Sequence, residues 1–186
     1  MAEPRKIAFL GPEGTFTEMA ARQLPGENVL APVASVTDAL DAVLHGEADR
    51  AVVPIENSIE GGVSATADAL ANIPGVQIFG EYLVPVTFDL MAKPGTQLVE
   101  IAEVLTHPVA YAQSRKWLEA NLSSHTHIPA ASTAAAAKAL ANGSTADAAI
   151  AASVAADIYG LEVLARDIGE NKAAQTRFLE IGKRAK

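Results

Sequence analysis

The sequence lacks cysteine altogether, and this absence excludes disulfide bonds and thiolate chemistry. Aromatic residues make up only 5% of the 186 residues, and no apolar run approaches the roughly 20 residues of a membrane-spanning helix. The polar start MAEPRK runs into an apolar stretch without a signal-peptide pattern, so we expect a cytoplasmic protein that does not enter a membrane. Apolar residues account for 49% of the chain and charged residues for 19%, which is typical of a folded protein with a substantial core.

Positive charge is also scarce. Lysine and arginine number 14 against 22 aspartates and glutamates, which gives a net charge of −8. A nucleic-acid-binding protein needs a basic surface to displace counterions from phosphates, so we expect no nucleic-acid partner. The overall field would repel an anionic ligand, which would therefore need local hydrogen-bond donors and helix N-termini.

Short β-branched segments alternate with alanine-rich segments along the chain, and this pattern predicts an α/β fold. Helix starts are indicated by Thr15 with Glu18, by Ser35, by Pro108, and by Ser132 with Thr133. The predicted strands are Lys6–Leu10, Val29–Pro32, Arg50–Val53, Glu103–Thr106, His127–Ala131 and Ala148–Ala151.

The two halves of the chain share one spacing. Ser35 precedes Gly46 by 11 residues, Ser132 precedes Gly143 by 11 residues, and an Ala-Asp pair leads from each glycine region into an apolar strand. Such lengths also recur by chance among βαβ units, but the coincidence favours two similar βαβ-type lobes facing one ligand cleft. We expect lobe 1 to comprise approximately residues 1–80 and 170–186, and lobe 2 approximately residues 81–169.

Polar residues cluster where the first and third predicted strands end. After the first strand, GPEGTFTE brings two glycines and Thr15 to a helix N-terminus, which could bind an anion or be an ordinary glycine turn. After the third strand, PIENS places Glu56, Asn57 and Ser58 at a strand end. For these three residues we favour a functional role over simple turn chemistry.

The second half offers fewer candidates. Thr106 and His107 stand at the start of a predicted helix that also carries Gln113, and His107 is better explained as a backbone-bonding residue than as a base. His125 and His127 have an alternating spacing, but no third ligand is nearby in the sequence. We therefore interpret them as part of a solvated loop and predict no metal site.

A strand-like run near the C-terminus has a polar interruption. The run QTRFLEI places Thr176 and Arg177 directly before an apolar segment. A small anion held at the start of that strand would explain the interruption.

Taken together, these segments resemble the prephenate dehydratase family. The matching stretches, in the family's order, are GPEGTFTE, VPIENSIEGG, LMAKPG, HPVAYAQS, ASTAAAA, AAIAASVAADIYGL and TRF, and they span residues 6 to about 182. The resemblance implies a two-lobed α/β fold similar to type 2 periplasmic binding proteins, with the site in the cleft. It also implies a lyase that converts prephenate to phenylpyruvate, water and carbon dioxide in phenylalanine biosynthesis.

The matching motifs also imply site residues. Thr176 would donate a proton to the departing hydroxyl, with Glu56, Asn57 and Gln113 as further catalytic residues and Glu56 as a hypothetical support for Thr176. The implied substrate-binding residues are Thr15, Ser58, Thr106, Ser132, Thr133 and Arg177. Because aromatisation drives the reaction, we expect no cofactor and no metal. The expected partner is the small molecule prephenate, and the expected assembly is a homodimer or a homotetramer.

Three alternatives remain open from the sequence. Arogenate differs from prephenate only in its amino-acid side chain; related decarboxylases lack the threonine of TRF and the PIENS stretch; and a solute-binding protein of the same shape would need export. Ser114 and Val109 stand where the family often has cysteine and glutamine. Nothing in the sequence resembles the ACT regulatory domain that is common in the family, so we expect phenylalanine not to inhibit this chain.

Overall fold

The computed structural model describes residues 3–58, 61–122 and 124–185. The chain divides into two compact units, of which unit 1 comprises Met1–Pro12, Phe16–Pro85 and Ala174–Lys186. Unit 2 comprises Glu13–Thr15 and Val86–Ala173. Across the described ranges, no helix is both long enough and apolar enough to cross a membrane.

The elements of unit 1 come from both ends of the chain. The first part contains β1 (Arg5–Leu10), α1 (Phe16–Ala21), β2 (Asn28–Val33), α2 (Val36–Leu44), β3 (Arg50–Asn57), β4 (Gly61–Gly62), α3 (Ser64–Asn72) and β5 (Val76–Pro85). Unit 2 follows with β6 (Asp89–Ala92), a short 3-10 turn (Leu98–Glu100), β7 (Glu103–Thr106), α4 (Pro108–Asn121), β8 (Thr126–Pro129), α5 (Thr133–Ala141), β9 (Ala148–Ala151), α6 (Ser153–Tyr159) and β10 (Glu162–Ala165). The chain then returns to unit 1 with β11 (Gln175–Lys183).

The two sheets have the same spatial order of strands. The order in unit 1 is β2-β1-β3-β11-β5, with β4 paired to the end of β3, and the order in unit 2 is β8-β7-β9-β6-β10. Along each of these orders the fourth strand, β11 or β6, runs antiparallel to both of its neighbours, and the other four strands run in one direction. The predicted α/β class and the predicted repeat of a βαβ pattern are therefore confirmed. The ends of the predicted strands match the observed ones to within two residues, except that β3 continues to Asn57, four residues beyond the predicted end at Val53.

The repeated Ala-Asp pairs have the same structural role in both units. The Asp49 carboxylate accepts a hydrogen bond from the Lys6 backbone N–H at 2.7 Å, at the start of β1. The Asp147 carboxylate accepts from the N–H groups of Ala102 and Glu103, both at 2.9 Å, at the start of β7. Each aspartate thus fixes the third strand of its unit against the first, which explains why the spacing recurs.

The helix starts also repeat. The Ser35 hydroxyl oxygen accepts from the Asp38 N–H at 3.0 Å, and the Ser132 oxygen accepts from the Ala135 N–H at 2.9 Å. Each serine satisfies one of the N–H groups that the first helical turn leaves without a carbonyl partner. The two serines that predicted the starts of α2 and α5 in the sequence therefore cap those helices.

The strand β11 contributes to two separate cores of unit 1. Phe178 packs with Phe9, Ala20 and Val84 on the α1 side of the sheet. Leu179 packs with residues of α2 on the other side, as does Ile181. Because β11 lies between β3 and β5, it is an interior strand, and its alternate side chains supply both faces.

The Glu180 carboxylate is buried in unit 1, with 7% of the residue exposed. It accepts hydrogen bonds from the Tyr82 hydroxyl at 3.0 Å and from the Arg50 Nε at 3.1 Å. The Arg50 guanidinium also lies 4.0 Å from the centre of the Phe79 ring. The charge of Glu180 is thus paired and hydrogen-bonded, as a buried carboxylate requires.

Gly14 is predicted to resist substitution more strongly than other glycines with positive φ. Its φ is 85°, and a Cβ there would lie 3.0 Å from Tyr159 Cε2 and 3.2 Å from Ala155 Cβ. Gly26 has a similar φ of 91°, but a Cβ there would have nothing within 4 Å. We expect Gly26→Ala to cost about 1 kcal/mol through backbone strain, and Gly14→Ala to cost roughly 1–3 kcal/mol more through overpacking. Urea unfolding measures both, and equal losses would contradict the packing of Gly14 against α6.

The Tyr82 hydroxyl gives a predicted alkaline limit to stability. Burial, and after it the hydrogen bond to Glu180, raises the pKa of Tyr82 above the usual 10.0. The unfolded chain therefore loses this proton at a lower pH than the folded chain does. The contribution of the Tyr82 proton to the free energy of unfolding is complete below about pH 10. This contribution is lost as the pH rises through the raised pKa of Tyr82 in the folded chain. Urea unfolding between pH 8 and 11 is expected to show this decline, and Tyr82→Phe is expected to remove it. An identical decline in Tyr82→Phe would contradict the assignment.

Candidate active site

The paired ends of β3 and β11 bring two of the predicted site residues together. The Asn57 Nδ2 donates a hydrogen bond to the Thr176 Oγ1 at 3.0 Å, across 119 residues of sequence. Thr176 is only 6% exposed. β3 has 8 residues, whereas its counterpart β9 has 4, so Asn57 stands on an extension of the strand that unit 2 does not repeat.

A β-bulge sets the register of this extension. Pro54 lies opposite Phe178 and Glu56 lies opposite Arg177, so Ile55 is an extra residue of β3 that β11 does not match. Proline has no N–H for the ladder, and bulges are where sheets tolerate it. The bulge shifts the pairing by one residue and thereby places Asn57 opposite Thr176.

Neighbouring residues at the paired ends of β3 and β11 point to opposite faces of the sheet. Thr176 and Asn57 share the face of Phe178, because side chains alternate along a strand and directly paired residues share a face. Glu56 and Arg177 lie on the other face, where the Arg177 Nη1 is 3.7 Å from a Glu56 carboxylate oxygen. The residue that contacts the Thr176 hydroxyl is therefore Asn57, and Glu56 does not occupy the supporting position hypothesised from the sequence.

Arg177 has a second carboxylate partner. Its Nε lies 3.2 Å from Glu81 on β5, and all three side chains of this row are about half exposed. A surface pocket of about 90 Å³ lies beside the row and is lined by Glu56, Ser58, Leu83, Gln175 and Arg177. Glu81 was missed by the sequence reasoning, because only the register of β5 on β11 brings it to Arg177. Residues Ile59 and Glu60 of the PIENSIEGG motif lie outside the described residues.

The remaining predicted site residues belong to unit 2. Thr106 is fully buried, and its hydroxyl donates to the Ile150 carbonyl at 2.7 Å. Ser132 caps α5 and Thr133 is the first residue of that helix. Thr15 directly precedes α1 and is half-buried.

Gln113 lies on α4 and is half-buried. Its carbonyl accepts a hydrogen bond from the Glu170 N–H at 2.7 Å, and a Glu170 carboxylate oxygen accepts from the Lys116 N–H at 3.2 Å. Glu170 thus bonds to the turn of α4 that carries Gln113. No local sequence signal marks Glu170 for this role, because the contact spans 54 residues between Lys116 and Glu170.

His125 and His127 belong to an aromatic cluster rather than to the solvated loop that the sequence suggested. The Tyr111 ring stacks on His127 with centroids 4.2 Å apart, and its hydroxyl lies 3.0 Å from the His125 Nε2. The His127 Nε2 donates to the Thr106 carbonyl at 2.9 Å. Within the described ranges, no group of three or more potential ligands from histidine, cysteine, aspartate and glutamate is placed to hold a metal ion.

His107 is predicted to stabilise α4 as its N-cap. Its Nδ1 accepts a hydrogen bond from the Val109 N–H at 3.2 Å, as the sequence suggested for a backbone-bonding histidine. Removing this acceptor in His107→Ala is expected to cost about 1 kcal/mol of the free energy of unfolding. His107→Asn retains a capping acceptor and is expected to unfold within about 0.5 kcal/mol of the parent chain. Equal stability of the alanine variant and the parent chain would show that the bond contributes nothing.

Comparison with known proteins gives one consistent family. The prephenate dehydratase family model matches residues 7–186. A prephenate dehydratase of Mycolicibacterium vanbaalenii is 43% identical over 192 residues, covering 95% of this chain and 61% of that protein. A crystal structure of prephenate dehydratase from Arthrobacter aurescens in complex with L-Phe has a TM-score of 0.90 at 45% identity, covering 97% of this chain and 61% of that one.

A further similar structure is described as GqqA, a novel type of quorum quenching acylase. Its TM-score is 0.87 at 33% identity, covering 98% of this chain and 65% of that one. The chain spans about three fifths of the length of the curated relatives that it matches. Since the family model covers nearly all of its residues and the relatives agree over the same span, the chain belongs to the prephenate dehydratase family.

Proposed function

We propose that this chain carries the catalytic part of a prephenate dehydratase, a lyase that forms phenylpyruvate, water and carbon dioxide from prephenate. The observation that carries the proposal is the hydrogen bond from Asn57 to Thr176, formed between two motifs of the family. The fold and the family membership support the same reading.

The reaction needs one proton and no redox partner. The bond between the ring and its carboxylate breaks, and carbon dioxide leaves while the electron pair stays with the ring. The ring carbon–hydroxyl bond breaks as the oxygen accepts a proton and departs as water. Aromatisation supplies the driving force, so the protein must mainly hold a dianion and protonate the leaving oxygen.

The Asn57 amide prepares the Thr176 hydroxyl to donate. Because the Thr176 oxygen accepts the Asn57 N–H, its own hydrogen is left for another acceptor, which we assign to the leaving hydroxyl. A donor aimed at an oxygen also stabilises the negative charge that develops there when the proton leaves. Threonine is a weak acid, and this hydrogen bond lowers the free energy of its deprotonated form.

The separation of Arg177 from Thr176 also suits the reaction. A cation beside the departing carboxylate would stabilise the charge that must be lost as carbon dioxide. Arg177 lies on the opposite face of β11 and is paired with Glu56 and Glu81. We therefore assign Arg177 and Glu56 to the support of β11.

The other residues that we propose for substrate binding are neutral donors. We propose that Gln113 uses its side-chain amide, and that Thr15, Ser132 and Thr133 use hydroxyl and N–H groups at helix starts, toward the carboxylates of the substrate. Thr106 is assigned a supporting role, because its hydroxyl already donates to Ile150. A homodimer or homotetramer in the cytoplasm remains a prediction from the family resemblance.

An acylase is a second candidate, favoured by the likeness to GqqA. An acylase that used Thr176 as its nucleophile would need a base to take the hydroxyl proton. The Asn57 amide donates to Thr176 and accepts no proton, so the observed geometry supports the acid over the nucleophile. Assays with prephenate, with arogenate and with an N-acyl amide distinguish these substrates, and the proposal requires phenylpyruvate from prephenate.

Thr176→Ala is predicted to lower kcat by about 10²–10⁴-fold with little change in KM, because the lost proton transfer acts in the transition state. Thr176→Ser retains the hydroxyl and is expected to retain substantial activity. Thr145→Ala changes an exposed threonine outside the proposed site and serves as the matched control. The measurement is the ultraviolet absorbance of phenylpyruvate formed from prephenate. A folded Thr176→Ala protein with close to full kcat would remove Thr176 from the mechanism.

A further inference from the structure

Ser58 and Gln175 form a reciprocal pair of hydrogen bonds next to Asn57 and Thr176. The Ser58 N–H donates to the Gln175 carbonyl at 3.0 Å. The Gln175 N–H donates to the Ser58 Oγ at 2.9 Å. Both bonds join the residue that follows Asn57 to the residue that precedes Thr176.

The side chain of Ser58 replaces a backbone acceptor at the end of the ladder. β3 ends at Asn57 and Ser58 lies in a turn, so the regular pairing of β3 with β11 stops there. The Gln175 N–H, on the first residue of β11, is taken by a hydroxyl oxygen instead. Short polar side chains commonly satisfy backbone groups in this way where the chain leaves a regular element.

The pair of Asn57 and Thr176 is therefore fixed on both sides. On one side the bulge at Ile55 sets the register, and on the other side the two bonds of Ser58 hold the first residue of β11. A displacement of less than 1 Å is enough to weaken a hydrogen bond near 3.0 Å, and reacting groups are sensitive to displacements of about this size.

We propose that Ser58 is a positioning residue: its Oγ holds the Gln175 N–H and thereby keeps the Thr176 hydroxyl against the Asn57 amide. This inference rests on the proposed function of Thr176. It differs from the substrate-binding role that the family resemblance implied for Ser58, because Ser58 acts through β11 and does not contact the substrate.

The test compares Ser58→Ala with Ser58→Thr, which retains the oxygen, and with Ser64→Ala, which changes an exposed serine at the start of α3. We expect Ser58→Ala to lower kcat by about fivefold to tenfold, which corresponds to the net free energy of one hydrogen bond. We expect KM to stay within about twofold of the parent value. Ser58→Thr is expected to recover more than half of kcat. Hydrogen exchange of the Gln175 amide is expected to be about tenfold faster in Ser58→Ala than in the parent chain. The other two variants are expected to exchange this amide at the parent rate.

Each other outcome counts against the inference. A raised KM with unchanged kcat in Ser58→Ala would mean that Ser58 contacts the substrate. Unchanged exchange of the Gln175 amide would mean that the bond does not hold β11. Full kcat in Ser58→Ala beside a large loss in Thr176→Ala overturns the positioning role alone, whereas full kcat in both variants overturns the proposed function as well.

Discussion

The pairing of the C-terminal strand β11 with both β3 and β5 is the constraint on which unit 1 depends. The strand lies in the interior of the sheet, so its backbone is hydrogen-bonded along both edges. Its side chains enter two cores, with Phe178 on one face and Leu179 and Ile181 on the other. Because the paired residues of β3 and β5 lie 90 or more residues away in sequence, folding must close a long loop before these contacts form.

The proposed chemistry uses a part of the fold that the repeat does not share. The two sheets have the same strand order and the same aspartate contacts, which build a common scaffold. β3 continues beyond the length of β9, and only this extension carries Asn57 opposite Thr176. The scaffold therefore supplies rigidity, while the reactive pair depends on an extension and a bulge, as is common where function is added to a fold.

Local signals in the sequence predicted the features that local interactions determine. Ser35, Ser132 and His107 were recognised as helix starts because each caps through its own side chain. The faces of Glu56 and Arg177 could not be predicted in the same way. The register of β11 on β3 decides which residues of the two motifs share a face, and this register depends on the bulge at Ile55. Pro54 is a local sign of an irregularity in the strand, but it does not show which residue of β3 is left without a partner. The contacts of Glu81 and Glu170 escaped prediction for the same reason, because long-range packing forms them.

The central claim is that Asn57 acts on the reaction through the Thr176 hydroxyl. A double-mutant cycle of kcat with Asn57→Ala, Thr176→Ala and the double variant tests it most directly, because the cycle measures the coupling between residues in contact. The account predicts that adding Asn57→Ala to Thr176→Ala lowers kcat little further, since Asn57 has no hydroxyl left to support. If the two losses instead multiply, Asn57 acts independently of Thr176, and that result would contradict the account.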